Sequence, residues 1–566
     1  MRITALMSCF VFVLVFFVSA ALQAAPPRVA LTGIVSSDAE GPMEGVVVKA
    51  KLVGGTITVS VVSDKEGRYN FPVNRLAPGA YQLTIRAIGY VPATPHLLAT
   101  VGTGTREADI KLNKTADLAS QMSDVEWLMS MPGTDAMKQK LFIGCDLCHS
   151  LAPILKSKYD AAEWITTLAR MHNWIPGSLL SKPILSPFRA GPQAGDEEFA
   201  KFLSSINLSS KPTHDFELKT LPRPRADDTK AIVTEYDLPR RDAEPHDAVV
   251  DAQGMVWYSD YAEPIVGRLN PRTGAVKEFR DPLVKPGYSG GFLDLELDRD
   301  GNIWVGRPGP GFNGFAKLDK KTQQFTNYTD PVESPETREG HGDLGFIVPM
   351  TSTGFVAIAP DGKVWNRDNF TNKAFRLDPA TGKITGFDEF PPEIMSRDYR
   401  GPRHRIYSIK TDSAGNLYEA DIEAGNIFEV DAATGKVTTF PTPTPNSGPR
   451  RMHWDSQGRL WIGECYAKNI AMLDPETGKI QEWPQPIPWY GPYDVVPDKN
   501  GNIWTGSTSS DLITRFNPKT AEYRHYLLPT LDVNFRRADV DNSGPRPIFW
   551  VGENHQAKIA KVEPLN

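Results

Sequence analysis

The sequence predicts a multidomain, mainly β chain: a small β-sandwich first, an α-helical domain after it, and a seven-bladed β-propeller over the last 336 residues, 231–566. Three patterns carry this. Residues 29–112 alternate strand-like runs with Gly and Pro turns, residues 115–210 show apolar positions at three- and four-residue steps, and from residue 253 a short unit recurs every 40 to 60 residues.

The sequence opens on Arg2, an apolar run from Ala5 to Val18, and small residues up to Ala24. That is the layout of a secretory signal, residues 1–24, cleaved near Ala24. The run is short for a membrane span, and no later stretch reaches that length, so the expected mature chain has no membrane span and is periplasmic or secreted. Cys9 falls in the signal, leaving Cys145, Cys148 and Cys465, too few for a disulfide framework. A net charge of −6 without a basic run argues against nucleic acid and anionic lipid. The partners this leaves are a small polar substrate and another protein.

In the first segment, residues 28–113, Val46–Ala50, Ile57–Val62 and Tyr81–Ile85 are rich in β-branched or aromatic residues, with turns at Asp64–Gly67 and Ala77–Gly79. The run Val62–Phe71, then Leu76–Tyr81 and Ala87–Tyr90, resembles the carboxypeptidase regulatory-like domain. The resemblance implies a spacer or docking module.

Between 115 and 210, Leu118, Met122, Val125 and Met129 share a helical face that Pro132-Gly133 ends, and Ala161–Met171 and Asp196–Ile206 form two further helices. Asp196, Glu197 and Glu198 suit the positive end of the last helix dipole. Among these helices lies Cys145-Asp-Leu-Cys-His149, the attachment pattern of c-type haem. The two thiols would form thioethers and His149 would ligate iron; a CxxC redox pair or half a zinc site leaves the adjacent histidine unexplained. The cofactor expected is one covalent haem c. Met171 is expected on the distal side, with His172 second and an open position third. The last helix resembles the C-terminal helix of class I cytochrome c domains, and Glu163-Trp164 with Arg170-Met171 resembles a helix in the cytochrome domains of quinohaemoprotein dehydrogenases. The resemblance implies a cytochrome c-like domain over 115–210.

Residues 211–230, with Pro212, Pro222 and Pro224, read as a linker. The repeats follow, centred on Trp257, Trp304, Trp365, Tyr418, Trp461, Trp504 and Trp550. Six carry a Gly turn three residues before the aromatic, and several add a second turn such as Asn270–Gly274, Asp378–Gly382 or Asp474–Gly478. Four short strands per unit make a propeller blade. Ile232–Pro239 stands before the first blade but matches the outermost strand of others, while the seventh blade stops at its third strand, Ile559–Val562. The first strand is therefore expected to close the ring. The repeats resemble the virginiamycin B lyase (streptogramin lyase) propeller family throughout 231–566.

The face opposite the stereotyped turns carries the long connections, Asn327–Thr353 with His341 and Asp343, and Asp388–Arg405 with His404. Residues 11 before and 3 after each repeated aromatic should sit side by side on that face: His246 with Asp260, Leu293 with Arg307, Gly354 with Asp368, Tyr407 with Asp421, Arg450 with Glu464, Tyr493 with Ser507. Arg536 and Arg537 lie near Glu553 in the seventh blade. Carboxylates from five blades suggest a polar ligand or a divalent cation. Of these residues, His246, Asp260, Arg450 and Glu464 are the catalytic candidates, with His246 expected to stay basic near neutral pH and Glu464 to stay ionised. The lyase resemblance implies base-promoted elimination by a Glu-Pro-His and a glutamate 14 residues on; here Glu244-Pro245-His246 and Asp260 keep the spacing with a shorter acid.

Three functions remain open. The first is a redox protein that binds or oxidises a polar molecule on the propeller and passes electrons through haem c to a redox partner protein. The second is a lyase or hydrolase at His246 and Asp260, and the third a non-catalytic electron-transfer or docking module.

Overall fold

A computed structural model describes residues 28–146, 148–174, 191–209, 211–282, 291–306, 314–329, 354–368, 373–388 and 405–566. His341, Asp343, His404 and Arg307 lie outside the described residues. The N-terminal unit packs two sheets face to face. Val29–Ser37 pairs with Arg68–Pro72 and Ile110–Lys114 on one side. Leu97–Val101, Gly79–Arg86, Val47–Leu52 and Ile57–Val62 run in that order on the other. Alternation sets the core: Tyr81 and Leu83 turn inward from Gly79–Arg86 onto Val48, Tyr69 and Phe71 while their neighbours face out.

Seven four-stranded blades follow. Six are 245–280, 295–329, 357–388, 406–441, 449–484 and 492–527. The seventh combines Phe535–Asp541, Ile548–Glu553 and Lys558–Pro564 with Ala231–Asp237, which pairs antiparallel with Lys558–Pro564 over seven residues. The ring is closed as expected. In six blades the inner hairpin turns on a glycine at positive φ (Gly254, Gly301, Gly362, Gly415, Gly458, Gly501), a conformation that costs any other residue strain. Trp257, Trp304, Trp365, Trp461 and Trp504 lie between blades, each at most 1% exposed.

The closing strand has a second partner that the sequence does not announce. Its free edge pairs antiparallel with Ile57–Val62, Val233 opposite Ser60 and Tyr236 opposite Ile57. One sheet therefore runs from the first blade through the seventh into the N-terminal unit, twelve strands in all. The half-buried Arg86–Asp511 ion pair, 2.6 Å, adds a polar tie between the units.

The expected fold class needs correction in its middle part. The chain is mainly β, and its described residues hold five α-helices. They are α1 (Asp124–Ser130), α2 (Asp135–Gly144), α3 (Ala152–Leu155), α4 (Ala161–His172) and α5 (Asp196–Ile206). They do not form an α-helical cytochrome c domain. Their apolar cluster, built on Trp127, Leu141, Phe142, Trp164, Phe199 and Leu203, runs on into Cys465, Tyr466 and Trp489 of the propeller. Periodicity identifies the buried face of a helix but not what covers it, and here the propeller does. The contact is close: a Cβ on Gly491 would lie 2.5 Å from the Phe142 ring and 2.6 Å from the Cys465 carbonyl oxygen. The linker residues also pack, since Leu221 N–H donates to Glu126 and Arg223 pairs with Glu40. No helix among the described residues is long and apolar enough to cross a membrane.

Candidate functional site at the propeller mouth

The innermost strands do not meet in the register that mirror symmetry about the turn suggests. Asp260 lies opposite Pro245, Asp421 opposite Ile406, Glu464 opposite Pro449, Ser507 opposite Pro492 and Glu553 opposite Phe535. After each pair the first strand carries one extra residue, a β-bulge, which re-aims side chains at a strand end. The bulge begins at His246, Tyr407, Arg450, Tyr493 and Arg536.

Hydrogen bonds join the products of this displacement. His246 Nε2 lies 3.0 Å from Tyr493 Oη, Tyr493 Oη lies 2.9 Å from Tyr407 Oη, and Arg450 Nη2 donates to Tyr407 Oη at 2.9 Å. The Arg450 guanidinium sits over both phenol rings, 4.5 Å from Tyr407 and 4.1 Å from Tyr493. In the first, fifth and seventh blades the next residue, Asp247, Arg451 and Arg537, joins an ionic set. Asp247 accepts from His246 Nδ1 (2.7 Å), Leu295 N–H and Arg537 (both 2.8 Å). Arg451 pairs with Asp294, and Arg537 and Lys410 pair with Glu296. The paired residues are thus mostly Asp247, Asp294, Arg451 and Arg537, whereas His246, Tyr407, Arg450 and Tyr493 form a phenol and imidazole chain.

The structure brings His246 and Arg450 together through the two tyrosines but leaves Asp260 and Glu464 outside that chain. Asp260 accepts from the Ala262 and Glu263 amides and pairs with Arg240. Asp421 likewise accepts from the Arg405, Glu423 and Ala424 amides. These acids cap hairpin ends. Glu464 accepts from Asn469 Nδ2, 3.0 Å away, and burial pushes it up to about 8, which favours the protonated form at neutral pH over the ionised one expected. His246 is 1% exposed, and burial pushes it down to about 4, so it is neutral there. Among the described residues no group of three or more His, Cys, Asp or Glu side chains is placed to hold a metal ion.

The Cys145–His149 turn lies against this face. Cys148 N–H and His149 N–H both point to the Cys145 carbonyl, at 3.1 and 3.4 Å, giving one helical turn after α2. Both thiols are free. His149 Nδ1 meets the Ser150 carbonyl at 2.8 Å, a contact that fixes the tautomer with Nε2 open. Between the cysteines, Asp146 is fully buried: Thr508 Oγ1 donates to its carboxyl (2.9 Å) and Asn534 Nδ2 to its carbonyl (3.1 Å). The charges of Arg536, Glu244 and Arg450 all bear on the Cys148 thiol. Two thiols and an oriented imidazole on one turn fit the attachment of haem c. Met171 is half-buried on α4, while His172 Nε2 is engaged by Asp196 at 3.0 and 3.1 Å.

Sequence reasoning missed Tyr407 and Tyr493 as central groups and Asp247, Asp294 and Arg451 as their support. The signal was the residue immediately after each position 11 before the repeated aromatic, which is ionisable in four of seven blades: Asp247, Asp294, Arg451 and Asp494.

Residues 30–113 match the carboxypeptidase regulatory-like domain family. No curated protein matches the chain. Among solved structures it is similar to virginiamycin B lyase from Staphylococcus aureus, at 18% identity, covering 59% of this chain and all of that one, TM-score 0.48. A streptogramin B lyase structure is similar at 21% identity, covering 60% of this chain and 99% of that one, TM-score 0.48.

Proposed function

We propose that this chain is an exported redox protein that binds a small polar molecule at the propeller mouth and carries one haem c on Cys145 and Cys148, with His149 as an iron ligand. Met171 is the distal ligand in this proposal, and a separate redox protein takes the electrons onward. The observation that carries it is the anchoring of the attachment turn on the propeller through buried Asp146, Thr508 and Asn534. When bound, haem c supplies a one-electron acceptor beside the mouth.

The chain's own residues do the rest. Arg450 offers a fixed cation that orients a polar substrate, and the phenols of Tyr407 and Tyr493 line its approach. His246, held by Asp247 with Nδ1 protonated, turns Nε2 to the Tyr493 hydroxyl and serves as the terminal acceptor, behind the two phenols, for a substrate proton. The engagement of Asp260 by Arg240, and of His246 by Asp247 and Tyr493, favours this reading over elimination by that pair. The test is an anaerobic spectral screen of the haem-loaded protein against alcohols, amines, sugars and phenolics. One class should reduce the haem, and His246→Ala should abolish that reduction with the resting spectrum unchanged. Reduction unaffected by His246→Ala, or no reduction by any class, rejects the proposal.

A further inference from the structure

The chain Arg450, Tyr407, Tyr493, His246, Asp247 has a direction. A guanidinium can only donate, so Arg450 makes Tyr407 Oη an acceptor. At the other end the Asp247 carboxylate accepts from His246 Nδ1, which leaves Nε2 of the neutral ring an acceptor. Each phenol has one proton to place between those ends. One arrangement satisfies every contact: Tyr407 donates to Tyr493, and Tyr493 donates to His246. All four hydrogen bonds then run from Arg450 toward Asp247.

Charge balance points to the same end of the chain. Arg450 is 1% exposed and among the described residues makes no ion pair with a carboxylate; its contacts are the Tyr407 oxygen, the Cys465 sulfur at 3.5 Å and the two phenol rings. A buried guanidinium favours a negative charge on the oxygen to which it donates. That oxygen is Tyr407 Oη.

We infer that Tyr407, Tyr493 and His246 form a proton relay in which Tyr407 is the phenol that releases and retakes a proton at the mouth and His246 is the group that stores it. The Tyr407 proton passes to Tyr493 Oη as the Tyr493 proton passes to His246 Nε2. What results is a Tyr407 phenolate against Arg450 and a His246 imidazolium against Asp247, with no change in net charge and no electron moved. The phenolate then accepts a proton from a substrate O–H or N–H. The groups facing Tyr407 are Arg450, Arg536, Arg451 and Tyr493, with Tyr261 nearby; burial opposes its ionisation, but the guanidinium groups together outweigh burial and pull it below the ordinary phenol value of about 10. This rests on the reading of the mouth as the reactive face, but not on the haem accepting electrons.

The test follows the ultraviolet tyrosinate band of the full-length, haem-loaded protein against pH. One tyrosine should ionise below the others, and Tyr407→Phe should remove that transition. Tyr493→Phe, which breaks the relay, and His246→Gln, which removes its terminus without touching Tyr407, should each raise the transition by about one pH unit or more. A transition that survives Tyr407→Phe overturns the assignment. One that stays in place in both Tyr493→Phe and His246→Gln overturns the relay, because Arg450 alone then accounts for it. Should every candidate substrate fail to reduce the haem while these shifts appear, the redox reading falls and the relay stands.

Discussion

Replacing Asp498 with Ala should destabilise the propeller by about 3 kcal/mol. Asp498 closes the inner hairpin turn of the sixth blade. One oxygen accepts from the Asn500 and Asn502 amides at 2.8 and 2.9 Å, and the other from Trp504 Nε1 at 2.9 Å and Asn502 Nδ2 at 3.0 Å. Trp504 is fully buried, so its stranded indole N–H costs about 1–3 kcal/mol. The turn donors reach water and lose about 0.5–1 kcal/mol each. Asp251, Asp298 and Asp455 make the same indole contact in their blades at 2.9 to 3.1 Å. In the third blade the position is Ala359, the backbone turn is the same, and Trp365 Nε1 has no partner among the described residues. Ala359→Asp should therefore stabilise by about 1 kcal/mol. Urea unfolding followed by tryptophan fluorescence reads both, with an unchanged m value expected. A change below about 1 kcal/mol for Asp498→Ala, or a loss of stability for Ala359→Asp, would refute the reasoning.

Covalent attachment predicts that haem stays with the denatured chain through acid extraction after expression in a host that matures c-type cytochromes, and that Cys145→Ala/Cys148→Ala loses it. Met171→Ala should remove the methionine-to-iron absorption band; an unchanged spectrum rules Met171 out. Glu464, pushed up to about 8 from an ordinary 4.5, holds extra proton affinity in the fold, so its contribution is full below pH 4.5 and lost as pH rises through 8. Glu464→Gln should then flatten the decline in stability between pH 6 and 9, on the order of 3 kcal/mol at most; a parallel decline in the variant contradicts this. Gly491→Val should loosen the helices from the propeller, seen as faster hydrogen exchange in α2 with the blades unchanged.

The blades were legible because their turns are chemically demanding. Gly301 and Gly501 need positive φ, and buried Trp304 and Trp504 recur at a fixed distance behind them. Ring closure was legible because one strand was surplus at the start of the repeat and one missing at its end. The site was half legible. Counting residues from the turn found His246 and Arg450 at the mouth, but a bulge adds one residue without leaving a mark in composition, so Asp260 and Glu464 were assigned to the wrong neighbours. The helices around Cys145 were legible as helices, yet their partner was not, since Phe142 and Trp127 would look the same in a free-standing domain. Pairing of Ile57–Val62 with Ala231–Asp237 left no trace either, because any edge strand offers the same backbone groups.

That last pairing bears on the order of events in synthesis. The strand Ala231–Asp237 cannot meet Lys558–Pro564 until the seventh blade exists, and through that interval an unpaired β edge would be free to capture another chain. Its other edge partner, Ile57–Val62, belongs to a unit made earlier and able to fold at once around Tyr69, Phe71 and Leu83. Were the N-terminal unit to fold first, it would hold the first strand in register while six blades are laid down, and present a half-finished sheet onto which the final strands add.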